Sequence, residues 1–416
     1  LLCIATFATP ISRQLARPFE QDPFLPNSLV SPGMRLFHSG SRKITALAGM
    51  SVAAWIGSTP LTWLYFGLLT PISIIANLLL IPLAFVVLAT AALSVALAPL
   101  PNPLPAELAN EANALFTKTA AGTAGAFSSL PGAHWNVASP EHIIRAPFEI
   151  NVLDLPYGGA AIHLAARGGN DWLIDCGSDR QFRATVHPVL RAYGAGRLDG
   201  LALTHGDTNH VGGAVTAIEE YAPRRVITTP ASSTSRAWRD ALAAAQTDGV
   251  GVERVAAGAQ ISMGRGDRLQ VLYPPAEGAP GFVADDRCVV ARLDLATGWR
   301  ILMVSDSGFY TGRWLAQNAG AAELRCDVLV RGEHEGDDST MPGLLALARP
   351  RAVVLSRASR RASVALPDSW PGELRAKGVE VFDQRECGAV RLCFFKGRAE
   401  LRAYLGDQSL TLKRAE

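Results

Sequence analysis

The sequence predicts an α-helical transmembrane segment followed by a soluble α/β domain built as an αββα sandwich. Residues 44–106 contain no Asp, Glu, Lys, Arg or His, whereas charged residues occur at ordinary density after Arg145. Beyond Arg145, hairpins with glycine-rich turns come first, and strands that alternate with helices follow them. This order is typical of two mixed sheets with helices outside, rather than of a simple parallel sheet.

The first 43 residues are expected to hold the tail of an earlier helix and a proline-rich connector at 17–32. The chain begins at Leu1, without an initiator methionine or the basic flank of a signal peptide, so we expect a fragment of a longer protein.

Two uncharged stretches, residues 44–69 and 72–100, are each longer than the ~20 apolar residues needed to cross a hydrocarbon core. Burying segments this long in a water-soluble core would need a much larger protein, so we expect both to span a membrane. Pro60 and Pro82 interrupt them, and such breaks persist in a bilayer where neighbouring helices satisfy the freed carbonyls. The prolines therefore favour a polytopic bundle over an isolated anchor.

The composition then divides the rest of the chain. Residues 107–130 have helical spacing with an alanine-rich face and complete a membrane region at 44–130. Residues 131–146 are expected to form a linker, and residues 147–416 the soluble domain.

Apolar runs of strand-like composition occur ten times in the soluble domain. They cover residues 149–155, 161–166, 172–175, 200–204, 225–228, 269–273, 288–295, 300–304, 327–330 and 352–355.

The loop after the run that ends at residue 204 carries the clearest chemical pattern of the chain. His205, Asp207 and His210 lie within six residues and are followed by two glycines. Imidazole nitrogens and carboxylate oxygens are the ligands that hold zinc or a similar cation while leaving positions open for water. A loop between a strand and a helix is also where α/β folds place functional groups. The alternative is a polar loop whose histidines only cap the following helix.

Two further residues follow apolar runs in the same way. Asp306 comes two residues after the run at 300–304, where an unpaired carboxylate on a buried strand would be costly. His334 follows the run at 327–330. Each alone could be a capping or surface residue, but together with the first loop they are expected to be metal ligands.

Bulk charge and cysteine content give no indication of two other kinds of site. The formal net charge of +2 is too small to indicate nucleic-acid binding by bulk electrostatics. The six cysteines show no Cys-x-x-Cys pair, which indicates small buried residues rather than disulfides or a thiolate zinc site.

With these motifs in place, the chain resembles the ComEC family of competence proteins, in which a membrane region precedes a metallo-β-lactamase-like domain. The resemblance covers roughly residues 45–404. The segments that carry it, in order, are residues 68–82, 205–213, 271–275, 304–306 and 327–334.

The chain also departs from the family pattern. Asn209 replaces the second aspartate of the metal loop, and a neutral amide neutralises a dication less well than a carboxylate, which weakens the second metal position. Residues 153–159 correspond to a turn that ends in polar residues in the family, and those polar residues are absent here. Residues 365–367 correspond to a Gly-His-Pro segment of the family and lack its histidine. Glu333 stands where the family has a histidine and could be an oxygen ligand or face solvent.

The resemblance implies the C-terminal part of a DNA-uptake channel. The membrane part would help conduct single-stranded DNA, and the soluble domain would act on the duplex or the displaced strand as a metal-dependent phosphodiesterase. Zinc or manganese, as one or two ions, would be held by His205, Asp207, His210, Asp306 and His334, with Asp207 and His210 as catalytic residues. Membrane lipid and other DNA-uptake proteins are further implied partners, and the implied location is the inner membrane, as a multi-pass protein.

The side of the membrane that holds the soluble domain stays open. Arg35, Arg42 and Lys43 favour a cytoplasmic flank, and two spans would return the domain to that side. The family resemblance favours the outer face.

Two alternatives to hydrolysis of DNA also stay open. In the first, the metal domain is degenerate and guides DNA or braces the channel without catalysis. In the second, the domain hydrolyses a small ester on a membrane anchor, although the proline-interrupted double span argues against a simple anchor.

Overall fold

A computed structural model describes residues 2–20, 30–231, 233–279, 283–333, 339–358 and 369–414. The chain divides into two compact units, residues 1–141 and 142–416. The four-part division expected from the sequence stays a prediction.

The first unit is helical. Its elements are α1 (Leu2–Ala16), a 3-10 helix (Arg17–Phe19), α2 (Pro32–Phe66), β1 (Leu68–Leu69), α3 (Ser73–Leu97), α4 (Leu104–Ser128) and β2 (Trp135–Asn136).

Helices α2 and α3 are long and apolar enough to cross a membrane, by length and composition. Helix α2 starts before the expected span, because the Ser31 side chain caps it by accepting a hydrogen bond from Met34 N at 3.2 Å. Polar side chains join the helices of this unit: Asn113 Nδ2 donates to Val87 O at 2.6 Å, which connects α4 to α3. Such bonds satisfy polar groups on otherwise apolar helices.

The second unit contains sixteen strands among the described residues. They are β3 (Phe148–Val152), β4 (Ile162–Ala166), β5 (Asn170–Ile174), β6 (Gly200–Leu203), β7 (Arg225–Thr228), β8 (Gly251–Arg254), β9 (Gln260–Gly264), β10 (Asp267–Tyr273), β11 (Val290–Asp294), β12 (Arg300–Met303), β13 (Val328–Arg331), β14 (Ala352–Leu355), β15 (Glu380–Asp383), β16 (Val390–Phe394), β17 (Arg398–Ala403) and β18 (Ser409–Lys413).

Helices separate many of these strands. They are α5 (Asp179–Gln181), a π-helix (Phe182–Val186), α6 (His187–Ala192), α7 (Thr208–Val211), α8 (Ala214–Tyr221), α9 (Arg236–Thr247), a 3-10 helix (Asp285–Arg287), α10 (Phe309–Asn318), α11 (Ala321–Leu324), α12 (Met341–Ala348), α13 (Ser369–Ala376) and α14 (Gln384–Cys387), and a 3-10 helix (Pro140–His142) lies at the junction of the two units.

The strands form two mixed sheets. One has the order β18-β17-β16-β3-β4-β5-β6-β7-β8, and its strands β5 to β8 run parallel. The other has the order β15-β14-β13-β12-β11-β10-β9, and its strands β12 to β15 run parallel. All ten strands expected from apolar runs are present in these sheets.

The central strands of both sheets, such as β6 and β12, are apolar on both faces because they are covered on both sides. In β6, Ala202 packs into the core that the two sheets share, whereas Leu201 and Leu203 pack against α8 and α9 outside. In β12, Ile301 and Leu302 divide in the same way between the shared core and the outer helices. This alternation follows from the period of two of a strand. The predicted αββα sandwich is therefore confirmed.

Candidate metal centre

The loop between β6 and α7 holds the first three candidate residues. His205 and His210 are each about 1% exposed, whereas the Asp207 side chain is 52% exposed. Asp207 is the N-cap residue of α7, yet its side chain makes no capping bond. His210 lies inside α7, and both imidazoles are buried beside carboxylates. The alternative in which the histidines only cap the helix is therefore wrong.

Asp306 reaches this loop from the other sheet, as expected. It follows β12, and its Oδ2 accepts a hydrogen bond from His210 Nε2 at 2.9 Å. The two residues are 96 positions apart in the chain. The structure thus brings His205, Asp207, His210 and Asp306 together, while their role as metal ligands stays a prediction.

Asp175 is a site residue that the sequence analysis missed. It follows β5 and is buried, and its Oδ2 accepts hydrogen bonds from His210 Nδ1 at 2.8 Å and from Thr204 Oγ1 at 2.6 Å. Its Oδ1 accepts from Thr204 N at 2.8 Å. The signal that singled out Asp306, a carboxylate at the carboxyl end of an apolar run, is equally present at Asp175.

His210 lies between two carboxylates, and this controls its protonation. Burial opposes the charged imidazole, but the Asp306 and Asp175 carboxylates outweigh burial and raise the pKa of His210 above its ordinary value. In the absence of a cation, both ring nitrogens of His210 therefore donate to carboxylates.

The surroundings of His205 shift its pKa in the opposite direction. Burial, together with the neighbouring His210, lowers the pKa of His205 despite nearby carboxylates such as Asp306. The Thr204 hydroxyl has a single hydrogen and donates it to Asp175, so its contact with His205 Nδ1 at 2.9 Å has Nδ1 as the donor. This tautomer leaves a lone pair on His205 Nε2.

The side chains surround a pocket of about 280 Å³. Four carboxylates line it, from Asp207, Asp285, Asp306 and Glu333. The pocket lining also includes Gly159. Its φ of 93° and its contact with the backbone of Asn209 leave no room for a side chain. Asp285 was also missed by the sequence analysis, and its Oδ1 lies 3.8 Å from His205 Nε2.

These residues fit a divalent cation of the zinc or manganese type. His205 Nε2 and Asp306 Oδ1 are buried and have no hydrogen-bond partner. Unpartnered buried polar atoms are rare in folded proteins and indicate a missing ion or similar group. An N and O donor set without thiolates suits both metals.

Two expectations fall outside the described residues. They concern His334 and the altered segment at 365–367, neither of which is among the residues that the structure describes. Glu333 is described: it lines the pocket, and its Oε2 accepts a hydrogen bond from Ala358 N at 3.1 Å.

Two protein families match the chain. Residues 25–153 match the family described as Competence protein, and residues 158–286 match the Metallo-beta-lactamase superfamily. No curated protein gives a significant match to the chain.

Several solved structures resemble the chain. CmlA, a diiron beta-hydroxylase from Streptomyces venezuelae, is 12% identical with a TM-score of 0.41, and the match covers 68% of this chain and 59% of that chain. The metallo-beta-lactamase fold protein YhfI from Bacillus subtilis is 15% identical with a TM-score of 0.38, covering 57% and 96%. Zn²⁺-bound PqqB from Methylobacterium extorquens is 15% identical with a TM-score of 0.39, covering 56% and 98%.

Proposed function

The chain has the C-terminal architecture of the ComEC family of competence proteins, and from this premise we propose that its soluble domain cuts a DNA strand in a metal-dependent reaction. The architecture, a competence region followed by a metallo-β-lactamase domain, supports a role in DNA uptake. The observation that carries the catalytic proposal is the pocket lined by Asp207, His210 and Asp306. His205 lies beside it, with its ligand nitrogen close to that of His210 and to the carboxylate of Asp207.

The contacts of the described residues, together with the family resemblance for His334, support a proposed role for each residue. His205, Asp207, His210 and Asp306 hold one or two zinc or manganese ions, with His334 as a further ligand. A bound divalent cation supplies a Lewis acid and a water of lowered pKa for attack on phosphorus. Asp175 accepts from His210 Nδ1 and so keeps the other ring nitrogen aimed at Asp306 and the pocket.

Electrostatics make DNA binding here depend on the cation. Four carboxylates line the pocket, and a phosphodiester carries a negative charge. Without a cation these charges repel one another, so phosphate approaches only after a metal has reduced the negative charge of the pocket. The same carboxylates therefore favour metal binding first and DNA second.

The membrane part is proposed to conduct single-stranded DNA. Helices α2 and α3 have the length and apolar composition of membrane spans. We place the protein in the inner membrane as a multi-pass protein that works with other DNA-uptake proteins.

A second candidate is a non-catalytic domain that guides DNA or braces the channel. The observation that favours it is Asn209, which lines the pocket with an amide in place of a carboxylate. His210 Nε2 is also already hydrogen-bonded to Asp306, so a cation must displace that bond.

The full chain, purified in detergent and stripped of metal, tests the proposal. Linear single-stranded and double-stranded DNA is added with zinc or manganese, and cleavage is followed on gels. We expect metal-dependent cleavage that Asp306→Asn abolishes, while Asp179→Asn on the exposed start of α5 retains it. Metal-dependent DNA binding without cleavage would favour the second candidate, and neither binding nor cleavage would contradict both.

A further inference from the structure

His205 has an unpartnered nitrogen that faces two of the carboxylates lining the pocket. Its side chain is 1% exposed, and Nε2 has no hydrogen-bond partner. Because Thr204 accepts from Nδ1, Nε2 carries a lone pair, which can accept a hydrogen bond or coordinate a cation but cannot donate a hydrogen bond to a carboxylate. A buried lone pair of this kind is costly unless something binds it.

Two carboxylates face this nitrogen at nearly equal distances. Asp207 Oδ2 lies 3.7 Å and Asp285 Oδ1 lies 3.8 Å from His205 Nε2. The three ligand atoms all lie within 4.8 Å of one another. Both separations are too long for hydrogen bonds. Ligand atoms about 2.1 Å from one tetrahedral zinc lie roughly 3.4 Å apart, so the separations fit a shared cation.

The position of Asp285 is fixed by the fold. It begins the 3-10 helix Asp285–Arg287, directly before β11. Val289 N donates to Thr204 O at 2.9 Å, which attaches this segment to the end of β6 and hence to the metal loop. The Asp285 side chain is 21% exposed, so a cation from solvent can reach it.

We propose that Asp285 is a metal ligand that forms, with His205 and Asp207, a three-ligand cation position. Its carboxylate offsets the negative charge that is absent at Asn209, so the centre holds a cation firmly despite that amide. The inference rests on the metal-dependent function proposed above and adds a ligand to it that no motif of the metal loop contains.

The affinity of the full chain for zinc ions tests this directly. The chain is purified in detergent, stripped of metal and titrated with zinc in competition with a chromophoric chelator. The variants are Asp285→Asn, Asp285→His and His205→Ala, with Glu277→Gln as the matched control, because Glu277 is an exposed carboxylate in the same loop region.

We expect Asp285→Asn to bind the first zinc equivalent at least about tenfold more weakly than the unmodified chain. Asp285→His should restore most of the affinity, because an imidazole supplies a new donor nitrogen, which a merely structural role would not explain. Glu277→Gln should match the unmodified chain.

Three results would overturn the inference. If Asp285→Asn keeps the unmodified affinity while His205→Ala loses it, Asp285 is not a ligand and the proposed function stands. If Glu277→Gln weakens binding as much as Asp285→Asn, the effect is general electrostatics. If the unmodified chain binds no zinc, the metal centre and the proposed function fall together.

Discussion

Replacing Asp175 by asparagine removes the buried charge that holds Thr204 and His210 in the candidate metal site. Asp175 accepts three hydrogen bonds, two of them from Thr204 and one from His210. Its φ of 57° is in the left-handed region, which asparagine tolerates better than most residues. Asp175→Asn therefore changes charge and hydrogen bonding with little added backbone strain.

The three bonds set the size of the effect. The asparagine has one acceptor oxygen, so its amide nitrogen must face at least one group that now donates to Asp175. Each bond to a charged acceptor contributes roughly 1.5–3 kcal/mol, and losing one or two gives about 2–5 kcal/mol of destabilisation. If the amide faces His210, Nδ1 must lose its proton and the remaining proton stays on Nε2, the nitrogen that would bind zinc, which should weaken zinc binding by roughly 10–100-fold.

Amide hydrogen exchange, resolved by mass spectrometry, measures this in the full chain. Peptides from β5 and β6 should exchange faster in Asp175→Asn, because their free energy of opening should fall by about 2–5 kcal/mol. Asp179→Asn is the control, because it removes a carboxylate that is 57% exposed and should cost less than about 1 kcal/mol. Equal exchange of β5 and β6 in Asp175→Asn and the unmodified chain would refute the role assigned to this carboxylate.

Three further changes have defined outcomes. A Cβ at Gly332 would overlap Asp306 Oδ1, so Gly332→Ala should weaken zinc binding at least about tenfold, whereas Gly343→Ala in open space should not; equal affinities would contradict the geometry. Asn209→Asp should raise the occupancy of a second metal, measured by elemental analysis. An unchanged number of metal ions per chain would contradict the assignment of residue 209 to the second metal position. Burial raises the pKa of Tyr193 to about 12. This phenol should therefore stabilise the fold fully below its ordinary pKa near ~10 and progressively less as pH rises through the folded value. In a spectrophotometric titration, the unmodified chain should show one more tyrosine that ionises near pH 12 than Tyr193→Phe does. Identical titration curves near that pH would contradict the burial of Tyr193.

The sequence predicts well what depends on local pattern. Apolar runs located ten strands because both faces of those strands are covered, and Asp306 was found because it follows such a run. Strand β8 was missed because its four residues are all exposed at a sheet edge. The alternating burial of β16 was visible in principle, since apolar and polar residues alternate along it.

The candidate metal site likewise has a part that local sequence pattern predicts and a part that it does not. His205, Asp207 and His210 lie in one short motif, but the carboxylates of Asp175, Asp285 and Asp306 come from distant parts of the chain. Asp175 had the correct local signal and was overlooked. Asp285 follows no strand, and its approach to His205 depends on the backbone bond between Val289 and Thr204, which no local pattern reveals.

The central claim is that imidazoles and carboxylates from distant parts of the chain hold one cation in the acidic pocket. An anomalous diffraction map of the zinc-loaded full chain tests it most directly. We expect a zinc peak within about 2.3 Å of His205 Nε2, bounded by carboxylate oxygens of the pocket. A zinc-loaded crystal whose only anomalous peaks lie outside this pocket would contradict the account.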